Sequence, residues 1–171
     1  MRKKYVAGNW KMNLTLADAK ALVQGIAAGM PANAGVDVAV FPPFVLLHPL
    51  AAVIGGSIQL GAQNCHYEAS GAFTGEIAPQ MLLDVGCKSV IIGHSERRHI
   101  FGETEELLKK KVMAALKVGL KVIYCVGEKL DEREAGQTEA VLHRQIHKVL
   151  GADVPLDEVT IAYEPVWAIG T

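Results

Sequence analysis

The stretch Ser89–Ile92, with the sequence Ser-Val-Ile-Ile followed directly by Gly93 and His94, decides the fold class of this chain. Its β-branched residues form a short, nearly continuous apolar run that a glycine closes. Strands that are covered on both faces of a parallel sheet have this pattern. Five further runs of the same kind lie outward from it, at residues 5–8, 36–41, 58–63, 121–126 and 160–164. The sequence therefore predicts six buried parallel strands.

Segments with helical periodicity separate these strands. Residues 15–28 and 104–118 each place apolar side chains on one stripe and charged side chains on the other faces. A longer helix is predicted over residues 131–150. Successive strands start 22 to 39 residues apart, which leaves room for a helical crossover in each interval. The pattern predicts an α/β domain with about six strands and five helices, and both a doubly wound sheet and a partial barrel satisfy it.

Composition excludes several classes of protein. The 171 residues are 50% hydrophobic and 20% charged, with a formal net charge of -1. No apolar run approaches the roughly 18 residues that a membrane span needs, and no basic cluster suggests a nucleic-acid partner. The three cysteines lack metal-ligand spacing, which favours free thiols and a cytoplasmic protein. His143 and His147 stand four residues apart, but no third ligand accompanies them, and we assign them to a solvated helix face.

Polar residues follow the predicted strands at the point where a parallel sheet presents side chains to a ligand. They include Asn9 and Lys11 after the first strand, His94 after the fourth and Glu164 at the end of the sixth. If a helix begins at Ser95, its free N–H groups disfavour a charged imidazole. A lysine, a neutral histidine and a carboxylate together suit proton transfer beside an anionic substrate. The P-loop and dinucleotide motifs are absent from the sequence, so it does not begin with a typical cofactor-binding βαβ unit.

These residues also lie in stretches that resemble the triosephosphate isomerase family. The match runs in the family's order along the whole chain, and five separate stretches at consistent separations form a specific signal. The stretches are Gly-Asn-Trp-Lys-Met-Asn at residues 8–13, Gly-Ala-Gln-Asn at 61–64, Gly-Ala-Phe-Thr-Gly-Glu at 71–76, Gly-His-Ser-Glu-Arg-Arg at 93–98 and Ala-Tyr-Glu-Pro-Val-Trp-Ala-Ile-Gly-Thr at 162–171.

The resemblance implies a (β/α)₈ barrel that interconverts dihydroxyacetone phosphate and glyceraldehyde 3-phosphate through a cis-enediolate, in glycolysis and gluconeogenesis. It makes Glu164 the base that moves a proton between adjacent carbons and His94 a neutral electrophile. Asn9 and Lys11 would bind the substrate and stabilise the enediolate, and no metal or organic cofactor would be needed.

Further positions follow from the same resemblance. Three residues would lie next to the catalytic residues and help to hold them in place: Glu96, Ser95 and Cys125. Gly170 would contact the substrate phosphate as part of a lid that begins at residues 165–167.

The segment from residue 65 to residue 76 is long for a connection between a strand and a helix, and loops of this size are usually functional or form interfaces. In the family this loop inserts into a second subunit. The resemblance therefore implies a homodimer in which Phe73 and Thr74 reach the partner, with Thr74 bracing Lys11 of the partner subunit.

The number of strands departs from the family pattern, because a complete barrel has eight strands and about 250 residues. We expect residues 1–171 to form a single truncated barrel domain that lacks the seventh and eighth βα units. Such a chain alone would be nearly inactive, and its unpaired first and last strands would favour a homo-oligomer or a companion C-terminal fragment.

Two other functions stay open from the sequence. One is a catalytically inert barrel fragment. The other is a Schiff-base aldolase or lyase that uses Lys11 as its amine, although Glu96 nearby would oppose this by keeping the amine protonated.

Overall fold

The computed structural model describes residues 3–31 and 35–169. In these residues six parallel strands form one sheet in which each strand pairs with the next one along the chain. A doubly wound sheet instead reverses its strand order at a switch point. The sequential order therefore identifies a (β/α) barrel-type sheet. The strands are β1 (Lys4–Asn9), β2 (Val36–Phe41), β3 (Ile58–Ala62), β4 (Ser89–Ile92), β5 (Lys121–Val126) and β6 (Val159–Tyr163).

Every crossover between neighbouring strands contains at least one helix. The helices of the described residues are α1 (Leu16–Gly29), α2 (Phe44–Ala51), α3 (Pro79–Asp84), α4 (Ser95–His99), α5 (Glu105–Lys117), α6 (Leu130–Glu134) and α7 (Thr138–Val149). The strands and the helices α1 and α5 agree with the predicted spans to within one or two residues. Five crossovers are confirmed, but the count of five helices is wrong because the last two crossovers hold two helices each.

The predicted helix over residues 131–150 is also wrong. The segment divides into α6 and α7 at Gly136, whose backbone is left-handed at φ +68°. A right-handed helix cannot pass through that conformation, and glycine adopts it without steric cost.

The core lies where the central strands meet the helices. All four residues of β4 are buried, and so are the last five of β5. Leu108, Val112 and Ala115 of α5 pack in the same cluster. The three cysteines are buried free thiols, which agrees with the sequence interpretation. No helix in the described part of the chain is long and apolar enough to span a membrane.

The two outermost strands differ from this centre. Within the described residues β1 pairs only with β2, and β6 only with β5. Val6 of β1 is 57% exposed and Ile161 of β6 is 48% exposed, although both residue types favour burial. The open edges of the sheet thus match the prediction of unpaired first and last strands.

Candidate active site

Four of the predicted site residues meet at the carboxyl edge of the sheet. Asn9 ends β1 and Lys11 follows it, His94 follows β4, and Glu164 directly follows β6. A cavity of about 210 Å³ lies at this edge, and its walls include Asn9, Lys11 and His94. Strands that are far apart in sequence therefore present three different functional groups to one space of small-molecule size.

The closest contact in the site joins the histidine and the carboxylate. His94 Nε2 lies 2.9 Å from Glu164 Oε1. The other carboxylate oxygen, Glu164 Oε2, accepts a hydrogen bond from the backbone N–H of Ser95 at 3.3 Å. His94 is buried and the Glu164 side chain is 23% exposed. The carboxylate is therefore held by two donors at the N-terminus of α4, beside the cavity.

The backbone around His94 fixes which ring nitrogen carries the proton. The N–H of Glu96 donates to His94 Nδ1 at 3.2 Å, so Nδ1 must present a lone pair. A neutral imidazole with an unprotonated Nδ1 carries its hydrogen on Nε2, which is the nitrogen that faces Glu164. The Nδ1 lone pair of His94 thus faces the N-terminus of α4, which begins at Ser95, and Nε2–H faces Glu164.

Opposing effects set the protonation of Glu164. Burial by itself would raise the pKa of this carboxyl group, but the hydrogen bonds from His94 and Ser95 outweigh burial and leave the pKa below its ordinary value. Glu164 is therefore ionised at neutral pH. An ionised carboxylate beside a cavity can accept a proton from a bound molecule, as a general base must.

Lys11 is held in an unusual backbone conformation. Its φ angle is 53°, in the left-handed region that side chains other than glycine rarely adopt. The side-chain amide of Gln63 donates to the carbonyl oxygens of Lys11 and Phe41, both at 2.8 Å. Asn9 Oδ1 accepts from the Lys11 backbone N–H at 3.0 Å. These contacts offset the strain and aim the lysine at the cavity.

The ammonium group of Lys11 has a carboxylate partner. Lys11 Nζ lies 2.9 Å from Glu96 Oε1. A paired lysine is stabilised as a cation, whereas a Schiff-base lysine needs a desolvated, neutral amine. The geometry therefore favours an electrostatic role for Lys11 and opposes the aldolase or lyase alternative.

The remaining predicted residues lie around this centre. Cys125 is buried in β5, opposite Ala162 of β6, and burial raises the pKa of its thiol to about 12, so it packs as an unreactive group. Phe73 and Thr74 are exposed on the 65–76 loop and do not line the cavity. Gly170, the predicted phosphate contact, lies outside the described residues.

A second carboxylate, Glu128, also lies at a strand end, where the sequence places it without assigning it a role. Glu128 has no exposed surface, and it accepts hydrogen bonds from Tyr163 at 3.0 and 3.1 Å and from Trp167 Nε1 at 3.1 Å. Burial raises its pKa, but bonds from Trp167, Tyr163 and Arg133 outweigh burial and lower it. Glu128 thus ties the residues on both sides of Glu164 to the end of β5. An acidic residue two positions after a buried strand is the signal for it.

A second buried charged group supports the base of the 65–76 loop. Lys111 of α5 donates to Asn64 at 2.9 Å and to Glu103 at 2.6 Å. Arg97 of α4 also donates to Glu103 at 2.6 Å. These ion pairs join the end of β3 to α4 and α5, so the loop leaves the sheet from a fixed point. Among residues 3–31 and 35–169, three or more possible metal ligands do not come together at any place.

A barrel-type sheet whose strand ends bring a lysine and an imidazole donor to one small cavity, with a carboxylate in contact with that imidazole, is the arrangement of an enzyme that transfers protons. The family model of triosephosphate isomerase matches residues 4–171.

Curated relatives agree with this match. The chain is 53% identical to the triosephosphate isomerase of Carboxydothermus hydrogenoformans and 56% identical to that of Treponema denticola, and in both cases all of the chain aligns with 69% of the relative. It is 48% identical to the triosephosphate isomerase of Aquifex aeolicus, of which it again covers 69%. The chain belongs to the triosephosphate isomerase family.

Proposed function

We propose that this chain supplies the proton-transfer machinery of a triose phosphate isomerase, which interconverts dihydroxyacetone phosphate and glyceraldehyde 3-phosphate. The relatives named above carry this activity in their names. The observation that carries the proposal is the pairing of Glu164 with a histidine whose tautomer the backbone N–H of Glu96 fixes.

The proposed reaction moves one proton between adjacent carbons. Glu164 takes a proton from the carbon beside the carbonyl, and the electrons of that C–H bond pass to the carbonyl oxygen. This oxygen becomes part of a cis-enediolate and accepts a hydrogen bond from His94 Nε2–H. Glu164 then returns the proton to the former carbonyl carbon. The hydroxyl proton of the first carbon passes to the former carbonyl oxygen, so the first carbon becomes the new carbonyl. Donors that are already in place where charge develops lower the barrier of such a step.

Lys11 and Asn9 support the charge that forms. The Lys11 ammonium stabilises the negative oxygen, and Glu96 pairs with that ammonium and holds it in place. Asn9 binds the substrate and holds the Lys11 backbone. Ser95 positions Glu164 through its N–H group. The reaction as proposed uses these side chains alone and needs no metal or cofactor.

Replacing the base tests this proposal. Glu164→Gln keeps the shape of the side chain but accepts no proton, and we expect kcat to fall by about 10²–10⁴-fold. Glu158→Gln is the matched control, because Glu158 is exposed beside β6 and only pairs with Lys121. A coupled isomerase assay measures both variants. Equal kcat values in Glu164→Gln and the wild type would contradict the assignment.

We also propose that the active form is a homodimer built through the 65–76 loop. Exposed apolar side chains support this: Phe73 is 41% exposed, and Met12, Val45 and Ile100 are 94%, 83% and 74% exposed. Exposed apolar side chains in such numbers mark association sites. Thr74, at the loop tip, would reach Lys11 of the partner subunit.

The dimer has its own test. Phe73→Ser is expected to shift the chain toward monomer in size-exclusion chromatography with light scattering. Leu22→Ser is the control, since Leu22 is equally exposed, at 41%, and belongs to α1 and not to the loop. Finding the same mass for Phe73→Ser and the wild type would rule out this interface.

The open strands support a further part of the proposal. We propose that further βα units pair with β1 and β6 in the active enzyme. These units come from a separate companion fragment or from more of the same polypeptide. The exposed faces of both strands and the greater length of the relatives favour it. Without this pairing we expect residues 1–171 to be nearly inactive, so each comparison of kcat uses the chain with those βα units present. A glycolytic, cytoplasmic role completes the proposal, and the three free thiols suit a reducing compartment.

A further inference from the structure

Gln145 is a buried polar residue on the outer helix α7, remote in sequence from every residue of the site. It is 3% exposed. Its side-chain amide bonds to both polar groups of one peptide residue: Gln145 Oε1 accepts from the N–H of Gly127 at 2.8 Å, and Gln145 Nε2 donates to the carbonyl of Gly127 at 3.1 Å. Buried polar groups that are matched in this way hold their partners in one place.

Gly127 stands in direct contact with the backbone of the catalytic carboxylate residue. A Cβ atom on Gly127 would lie 1.8 Å from the carbonyl oxygen of Glu164 and 2.6 Å from its carbonyl carbon. The residues beside Gly127 continue this contact, because Val126 O accepts from Glu164 N at 2.7 Å and Glu128 O accepts from Val166 N at 3.0 Å. The position of residues 126–128 therefore sets the position of the Glu164 backbone.

The helix end of this connection is anchored as well. Tyr124 OH donates to the backbone carbonyl of Gln145 at 2.8 Å, and Tyr124 is fully buried in β5. Gln145 is thus bonded to β5 by its backbone and by its side chain. The side-chain bonds reach Gly127, which touches Glu164, whereas the backbone bond does not.

We propose that Gln145 is a positioning residue of the isomerase reaction. It holds Gly127 in place, and through Gly127 it keeps the Glu164 backbone in the position that the carboxylate needs. This inference rests on the proposed function of Glu164. A displacement of about 1 Å in a reacting group can reduce a rate on the order of 10²-fold. A residue that fixes the position of Glu164 therefore acts on kcat.

The test compares two variants of α7. Gln145→Met keeps the length and burial of the side chain but makes neither bond to Gly127, and we expect kcat to fall at least about 10-fold with KM within about twofold of the wild type. Val141→Ala is the matched control, because Val141 is buried on the same helix and does not bond to Gly127. It destabilises α7 and is expected to leave kcat unchanged. Gln145→Glu keeps the acceptor but opposes the Gly127 carbonyl, so its kcat should fall as well.

A second measurement needs no turnover. Titration of the Glu164 carboxyl carbon by NMR reports how well His94 and Ser95 hold the carboxylate. In Gln145→Met the pKa of Glu164 should move from its lowered value toward the ordinary one, and in Val141→Ala it should stay. Equal kcat values and equal Glu164 titrations in the two variants would overturn the positioning role. A shifted titration in a chain that shows no isomerase activity even when the further βα units pair with β1 and β6 would instead support the positioning role and contradict the proposed function.

Discussion

The central strands of the sheet and its outermost strands, β1 and β6, differ in burial and in the functional groups that they carry. In β4 every residue is buried, whereas β1 and β6 leave residues such as Val6 and Ile161 about half exposed. Yet Lys11 and Glu164 both extend from the edge strands, and only His94 extends from the centre. The chemical groups at the edges therefore depend on contacts with the centre for their positions, and these contacts are Gln63 on Lys11 and residues 126–128 on Glu164.

The largest expected effect contrasts one residue type in the two regions. Ile92→Ala in β4 removes a side chain that is 1% exposed and leaves a cavity, so we expect a loss of about 2–5 kcal/mol in the free energy of unfolding. Ile161→Ala in β6 removes one that is 48% exposed, and we expect a loss below about 1 kcal/mol. Urea denaturation measures both. Similar losses would mean that β6 is packed as tightly as β4 in solution.

The next effect tests whether the centre places the edge residue. Gly127→Ala puts a methyl group onto the backbone of Glu164, so we expect kcat to fall on the order of 10²-fold with a smaller change in KM. Gly25→Ala is the control, because that helical position has open space around its Cβ. It should leave kcat unchanged and make the fold slightly more stable. Unchanged kcat in Gly127→Ala would separate Glu164 from the centre.

The smallest effect is a pH dependence at the edge. The pKa of Glu164 is below its ordinary value of 4.5, although burial would raise it, because the bonds from His94 and Ser95 dominate. A group with a lowered pKa in the folded chain stabilises the fold above its unfolded pKa, and this stabilisation disappears as the pH falls through the folded pKa. Glu164→Gln should therefore lose less stability on acidification than the wild type.

Thermal unfolding at neutral and at acid pH measures this difference. Glu158→Gln, at an exposed position near the same edge, should follow the wild type. An acid loss in Glu164→Gln as large as that of the wild type would mean that Glu164 contributes nothing to the pH dependence.

The sequence predicted the strands closely because β-branched runs closed by glycine, such as residues 89–93, have few other structures open to them. It also predicted that His94 and Glu164 lie at the same end of the sheet, since the carboxyl ends of parallel strands meet there. It failed at residues 131–150, where helical periodicity continues across the turn at Gly136.

Other parts of the site depend on distances that periodicity does not contain. Glu96 N–H on His94 Nδ1 is one example, because one hydrogen bond decides the tautomer of the ring. Gln145 is another: a glutamine on a helix has the same appearance in the sequence whether it faces solvent or a buried glycine. Such residues become visible only when the contact of α7 with β5 is known.

The most direct test of the central claim follows the proton itself. When dihydroxyacetone phosphate is converted in D₂O, a carboxylate that carries the proton between carbons exchanges part of it with the solvent. We predict that the glyceraldehyde 3-phosphate formed carries deuterium on the carbon that receives the proton, and that Glu164→Gln forms almost none of this product. Product without solvent deuterium, or equal deuterium incorporation in Glu164→Gln, would contradict Glu164 as the base.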